Sequence, residues 1–215
     1  MSMEVLDAPV RDLTVEAPIL FLEPSGRKPR LSFGYDTPAS DVSEIYAPRR
    51  VLIRDGRKLD ASLDVEGFAL ARHVSAIDFS NEAEIAGTGR DEAAGLVRKA
   101  TGAARVLVFD HTLRKRAPDA LRQPSTRVHV DYTADSAPKR VRELLGDEAD
   151  ALLQKRVAFV NVWRPIRHPA ADWPLVLADA RTTTPADLVA TDIVYPDRHG
   201  EIYGLVHSDR QRWFY

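Results

Sequence analysis

Arg127-Val128-His129-Val130-Asp131-Tyr132 is the stretch around which the rest of the chain is organised. It alternates apolar and polar residues, the period of a strand. On an extended backbone residues i and i+2 face the same way, about 7 Å apart. Val128 and Val130 therefore share one side, and His129 and Asp131 the other. An imidazole and a carboxylate on one face supply two of the three ligands of a mononuclear non-haem iron site, with a second histidine needed to complete the facial triad. The same pair also reads as an ordinary hydrogen-bonded His–Asp couple, and the triplet alone does not separate the two readings.

Working outward, Arg156–Trp163 (RVAFVNVW) predicts the strongest strand. Asn161 and Trp163 lie on one of its faces, Val162 and Arg164 on the other. The Arg164 guanidinium suits bidentate pairing with the carboxylate of a cosubstrate or substrate, or a structural salt bridge with an acid such as Asp179. Gly67–Val74, Arg105–Asp110, Pro174–Ala180 and Leu188–Tyr195 read as further strands, and Ala17–Leu22 as a strand or an anchor for the N-terminal arm. Arg50–Asp55 and Arg57–Val65 read as a hairpin around Gly56, and Glu201–His207 with Gln211–Tyr215 as a final one. Two segments are helical. Asp91–Ala100 has Asp91 as its cap, Glu92 in its first turn and Gly102 as its stop. Ser136–Gln154 has Pro138 in its first turn and breaks at Gly146, where Asp147 restarts it. Many short strands with two helical regions predict a mainly β chain, a sandwich or barrel with flanking helices.

Composition removes several classes of function. The 30 basic and 32 acidic side chains nearly cancel, without the basic excess of a nucleic-acid binder. No apolar run approaches the roughly 18 residues of a membrane span. Met1–Pro9 carries Glu4 and Asp7 and does not read as a signal peptide. Without cysteine there is no disulfide, thiolate nucleophile or Cys-ligated metal, and a cytoplasmic protein is the expectation.

A set of motifs then carries a resemblance. Gly67-Phe68 is followed by Thr101-Gly102-Ala103, then Val106–Asp110 with His111-Thr112, then His129–Thr133. Next come Asn161-Val162-Trp163-Arg164-Pro165-Ile166, Pro174-Leu175, Ala178–Arg181, Glu201-Ile202-Tyr203 and Arg212-Trp213-Phe214-Tyr215. In this order the chain resembles the iron- and 2-oxoglutarate-dependent oxygenase-like proteins of microbial secondary metabolism. These include a cephalosporin 7-methoxylation component, fungal hydroxylase/desaturases and an endoperoxide-forming enzyme. The Asn-Val-Trp-Arg-Pro-Ile and Arg-Trp-aromatic-Tyr stretches are more specific than the triplet.

The resemblance implies a double-stranded β-helix, a cupin-like jelly roll with the metal in its mouth. It implies Fe(II) and 2-oxoglutarate as cofactors for hydroxylation or desaturation of a small metabolite, with no nucleic acid or membrane as partner. His129 and Asp131 are then metal ligands, and Arg164 and Asn161 belong to cofactor binding. In relatives the chain is expected to continue past the Arg-Trp-aromatic-Tyr stretch to a further histidine strand. A sequence ending at Tyr215 leaves the barrel incomplete at the C-terminus, and His207, at the end of a late strand, becomes the candidate third ligand. Residues 1–49 read as an arm with loops and 50–215 as the oxygenase-like domain. The alternative is a catalytically inactive or truncated relative that binds a small molecule or a partner. A metal-dependent hydrolase has weaker support, since Asp135 is the sole further acid close to the triplet.

Overall fold

Two ten-residue strands rich in β-branched and aromatic residues begin the fold. A computed structural model describes residues 13–32, 41–43, 45–116, 123–166 and 168–215. In it β1 (Thr14–Glu23) pairs antiparallel with β4 (Ile45–Arg54) along their whole length, Phe21 opposite Ala47 and Ala17 opposite Val51. This pairing crosses residues 49 and 50, where the sequence suggests a division. Alternation turns Ile19 and Phe21 of β1, and Val51 and Ile53 of β4, into the core. Pro18 is tolerated because β1 is, among the described residues, an edge strand of its sheet. The far end of β4 runs parallel to β9 (Trp213–Phe214), which pairs antiparallel with β6 (Leu177–Ala178). The first sheet is therefore ordered β1-β4-β9-β6.

The second sheet is ordered β3 (Asp41–Val42), β2 (Arg30–Ser32), β7 (Leu188–Val194), β8 (His199–Leu205) and β5 (His129–Val130). Its centre is a hairpin of β7 and β8, closed where Tyr195 N–H donates to the Arg198 carbonyl at 2.9 Å. β2 adds parallel to β7, and β3 antiparallel to β2. β5 closes the other edge against β8. The sheets meet over Ile19, Phe21, Val51, Ile53, Leu205 and Trp213. Phe21 is fully buried, and its ring meets that of Trp213 edge-on at 5.5 Å. Such a contact adds about 0.5–1.5 kcal/mol to the burial itself. Both sheets are mixed, and helices flank them; the fold is mainly β.

The first helical run starts earlier than Asp91 suggests. Asn81 caps α1 (Glu82–Glu84), accepting from Ala83 N–H at 3.0 Å and donating to Glu84 Oε1 at 2.9 Å. A π-turn over Ile85–Gly89 leads straight into α2 (Arg90–Thr101), so Asp91 lies inside a continuous helical run. A Cβ at Gly89 would stand 2.7 Å from Ile77 Cδ1, so Ile77 packs directly on the backbone there. Gly102, at φ 68°, stops the helix as expected. α3 (Ser136–Leu145) also ends at a glycine, Gly146, and a 3-10 turn joins it to α4 (Ala149–Leu153). Asp147 falls within that turn, and α4 has no side-chain cap.

Several expected strands are not formed. Arg57–Val65 and Gly67–Val74 run as turns and irregular backbone, so β4 pairs back to β1 instead of forward across Gly56. Glu201–His207 and Gln211–Tyr215 do not form a hairpin. Gln211 N–H closes a turn on the Ser208 carbonyl at 3.0 Å, and the chain crosses to the other sheet, where Trp213 reaches the core. Arg105–Asp110 and Arg156–Trp163 lie outside the sheets; they meet through rings, Phe109 edge-on to Phe159 at 5.8 Å. An apolar run reports that side chains can be buried, whereas a strand also needs a ladder partner, which pattern alone does not supply.

Candidate metal centre

The triplet sits where an edge of each sheet comes close. Arg127 forms a parallel bridge with Leu20 of β1, and Val128 N–H donates to the Leu20 carbonyl at 3.1 Å. Two residues on, His129 faces Gly204 of β8 and Val130 faces Tyr203. Gly204 permits this junction, because a Cβ there would stand 2.9 Å from Leu22 Cδ2. Thr133 fixes the downstream end. Its buried hydroxyl donates to Glu201 Oε1 at 2.5 Å and accepts from Ser136 N–H at 3.0 Å, which starts α3. Ser136 Oγ in turn donates to the Glu201 carbonyl at 2.7 Å. Lys28 holds the same glutamate at 2.6 Å, and its hydrogen bond comes first among the causes that lower the Glu201 pKa.

Between these anchors the side chains alternate as the sequence requires. His129 and Asp131 share a side, with Nε2 and Oδ1 3.3 Å apart. His129 Nδ1 lies 2.9 Å from the Arg127 carbonyl. A carbonyl only accepts, so Nδ1 carries the hydrogen and Nε2 is the nitrogen offered towards the carboxylate. The other oxygen of Asp131, Oδ2, accepts from Asn161 Nδ2 at 2.7 Å. When the ring is protonated Nε2–H donates to Asp131, and that bond raises the His129 pKa against the opposing effect of burial. That bond, with a smaller contribution from Asn161, holds the Asp131 carboxyl below its usual range. Tyr132 turns the other way and stacks on Phe159 at 4.1 Å.

Arg164 is held apart from the pair. Its Nη1 is 3.4 Å from Glu92 Oε2 and its guanidinium lies over the Phe79 ring at 5.1 Å. Glu92 also accepts from Ser75 Oγ at 2.5 Å and Ala76 N–H at 2.9 Å, and faces His73 Nε2 at 3.3 Å. These contacts, the Ser75 hydroxyl first, bring its pKa down to about 2. Arg164 thus has an acidic partner, but not Asp179. That buried carboxylate is gripped by Arg181 through both oxygens, at 2.9 and 2.7 Å. His207 lies edge-on to Phe21, ring centres 5.0 Å apart, with Nε2 3.9 Å from Asp209. Among the described residues no three His, Asp or Glu side chains gather as a metal site needs, so His207 does not join His129 and Asp131.

The structure therefore brings together His129, Asp131 and Asn161. A neutral imidazole nitrogen beside a carboxylate oxygen is a donor pair suited to Fe(II), and it fits as two of three protein ligands. His129, Asp131, Asn161, Trp163 and Arg164 border one broad, open space and not a closed ligand pocket. Glu92, Gly204 and the Thr133–Glu201 lock carried no signal in the sequence, because their partners are remote in the chain.

A family model described as an oxidoreductase/YMDC permease-like domain matches residues 19–215. Among the described residues no helix is long and apolar enough to cross a membrane. The Fe(II)/2-oxoglutarate-dependent dioxygenase nvfI of Aspergillus novofumigatus is 31% identical over 216 residues, covering 93% of this chain and 77% of the relative. The alpha-ketoglutarate-dependent dioxygenase phiK of a fungal species is 30% identical, covering 78% of this chain and 64% of its own length. The hydroxylase/desaturase efuI of Hormonema carpetanum is 25% identical, with 79% and 67% covered. A solved structure of the iron and alpha-ketoglutarate-dependent endoperoxidase NvfI superposes with a TM-score of 0.79 at 25% identity, covering 94% of this chain and 79% of that one. With a match to the family model from residue 19 to 215, and with these relatives, the chain belongs to the oxidoreductase family of the Fe(II)/2-oxoglutarate-dependent dioxygenases.

Proposed function

We propose that this protein is an Fe(II)/2-oxoglutarate-dependent oxygenase that hydroxylates or desaturates a small metabolite on a jelly-roll scaffold. The observation that supports this most is the shared side of His129 and Asp131, with Nε2 directed at the carboxylate. His129 and Asp131 would hold the ion, and a third protein ligand would come from outside the described cluster. When bound, Fe(II) and 2-oxoglutarate supply the activation of dioxygen. The chain's part is placement. The Arg127 carbonyl sets the histidine tautomer, Asn161 holds one carboxylate oxygen, and Thr133 with Glu201 fixes the strand end. Arg164 borders the same open space and is the guanidinium offered to a carboxylate of 2-oxoglutarate or substrate, with Glu92 setting its position. A cytoplasmic location is consistent with the lack of cysteine.

Anaerobic Fe(II) titration of the wild-type chain and of His129→Ala tests the site. Saturable binding in the first and its loss in the second is the expected result, and equal weak binding in both would remove the centre. Succinate release from 2-oxoglutarate then tests turnover, in this chain and in one continued past Tyr215. Metal binding with no succinate release from either chain is the behaviour of a relative that binds without reacting.

A further inference from the structure

We propose that Asn161 is a positioning residue that keeps Asp131 a ligand through one oxygen. This rests on the reading of His129 and Asp131 as metal ligands. A carboxylate binds a cation through one oxygen or both, and in an octahedral site the second oxygen takes an additional position. A facial set of three protein atoms leaves three positions, enough for a bidentate 2-oxo acid and one further molecule. If Asp131 used both oxygens, one of those three would close.

The structure divides the two oxygens between different tasks. Oδ1 is the one beside His129 Nε2, at 3.3 Å, and Oδ2 accepts the Asn161 amide at 2.7 Å. The amide orientation follows from chemistry, since Asn161 Oδ1 in its place would put two acceptors against each other. A hydrogen bond of this length competes for the lone pair that a second metal bond would need. Partners of this kind orient metal-binding carboxylates in general.

Asn161 is delivered to Asp131 by contacts on both sides of it. Two residues earlier, Phe159 stacks on Tyr132, the neighbour of Asp131, with ring centres 4.1 Å apart. Three residues later, Arg164 is held by Glu92 and by the Phe79 ring. The segment lies outside the sheets, so these side-chain contacts set its register against the triplet. An aspartate at 161 would face Asp131 with a second negative charge, and a lysine would draw electron density from the ligand; an amide donates without either effect.

The test uses the full chain with Co(II) as the probe, whose visible absorption reports coordination number and whose affinity is read in the same titration. Asn161→Ala and Asn161→Leu both remove the donor, the second at similar volume, and His129→Ala is the control. The expected result is about 10- to 100-fold weaker binding in both Asn161 variants. Their Co(II) spectrum is altered and their metal-free melting temperature is that of the wild type. Wild-type affinity and spectrum in both variants, with binding lost in His129→Ala, would overturn the role of Asn161 and leave the site standing. Metal-free variants that no longer fold would assign Asn161 to stability and overturn it as well. If the wild type and His129→Ala behave alike, the site itself fails and this inference with it.

Discussion

Gly204 shows how much a single side chain governs at the junction of the two sheets. It pairs with His129 across β5 and β8, and Leu22 occupies the space where its Cβ would be. Gly204→Ala should therefore push the buried Leu22 side chain aside, at a cost of up to about 1–3 kcal/mol for overpacking a tight contact. Urea unfolding measures that loss, and weaker Fe(II) binding in the same variant would show that His129 moves with the strand. Thr133 is the second such residue. Thr133→Val keeps the shape but removes the hydroxyl that donates to Glu201 and receives the Ser136 N–H. The expected loss is about 1–3 kcal/mol, because a partly buried N–H and a carboxylate oxygen each lose a partner. A denaturation midpoint equal to the wild type would show that water replaces the hydroxyl without cost.

At the scale of elements, Glu92 joins α2 to the loop at 73–76 and to the segment ending in Arg164. Its pKa in the folded chain is about 2, set first by the Ser75 hydroxyl, against about 4.3 for a free glutamate. The folded state therefore binds this proton less readily than the unfolded chain. The stability it contributes is complete above about pH 4.3 and disappears as pH falls towards 2. Melting temperature followed from pH 6 downwards should fall in the wild type, and Glu92→Gln should flatten that fall while lowering the plateau at neutral pH. A parallel curve in the variant would mean that Glu92 has no part in the acid limb. Elements also separate what sequence shows from what it does not. α2, α3, β1 and β7 follow from residues within one or two turns of each other. Arg105–Asp110 and Arg156–Trp163 carry the same β-branched pattern yet join no sheet, and they meet through the rings of Phe109 and Phe159.

For the whole molecule the decisive contact is the buried cluster in which β1, β4 and β9 of the first sheet pack on Leu205 of the second. Phe21 from β1 and Trp213 from β9 lie at the centre of the buried cluster, Phe21 with no exposed surface. Phe21→Ala should cost about 3–5 kcal/mol, since the cavity adds to the lost burial. Chemical denaturation reads it, and the change should be insensitive to salt because no charge is involved. Burial of Trp213 also explains the crossing after Gln211. A hairpin back onto β8 would leave the indole without that core, so the chain moves to the first sheet instead. The same long connections bring Asn161 to Asp131, 30 residues away, and Arg164 to Glu92, 72 residues away.

The sequence by itself determined that His129 and Asp131 share a side, where the two helical regions fall, and which motifs mark the family. Alternation and helical period are properties of a few adjacent residues, and no distant partner is needed to express them. Only the tertiary structure decided that Asn161 serves the carboxylate, that Glu92 takes Arg164, that His207 packs on Phe21, and that the last strand enters the first sheet. Each of these depends on which segments close a long loop against each other, and loop closure is a matter of competing packings across the whole chain.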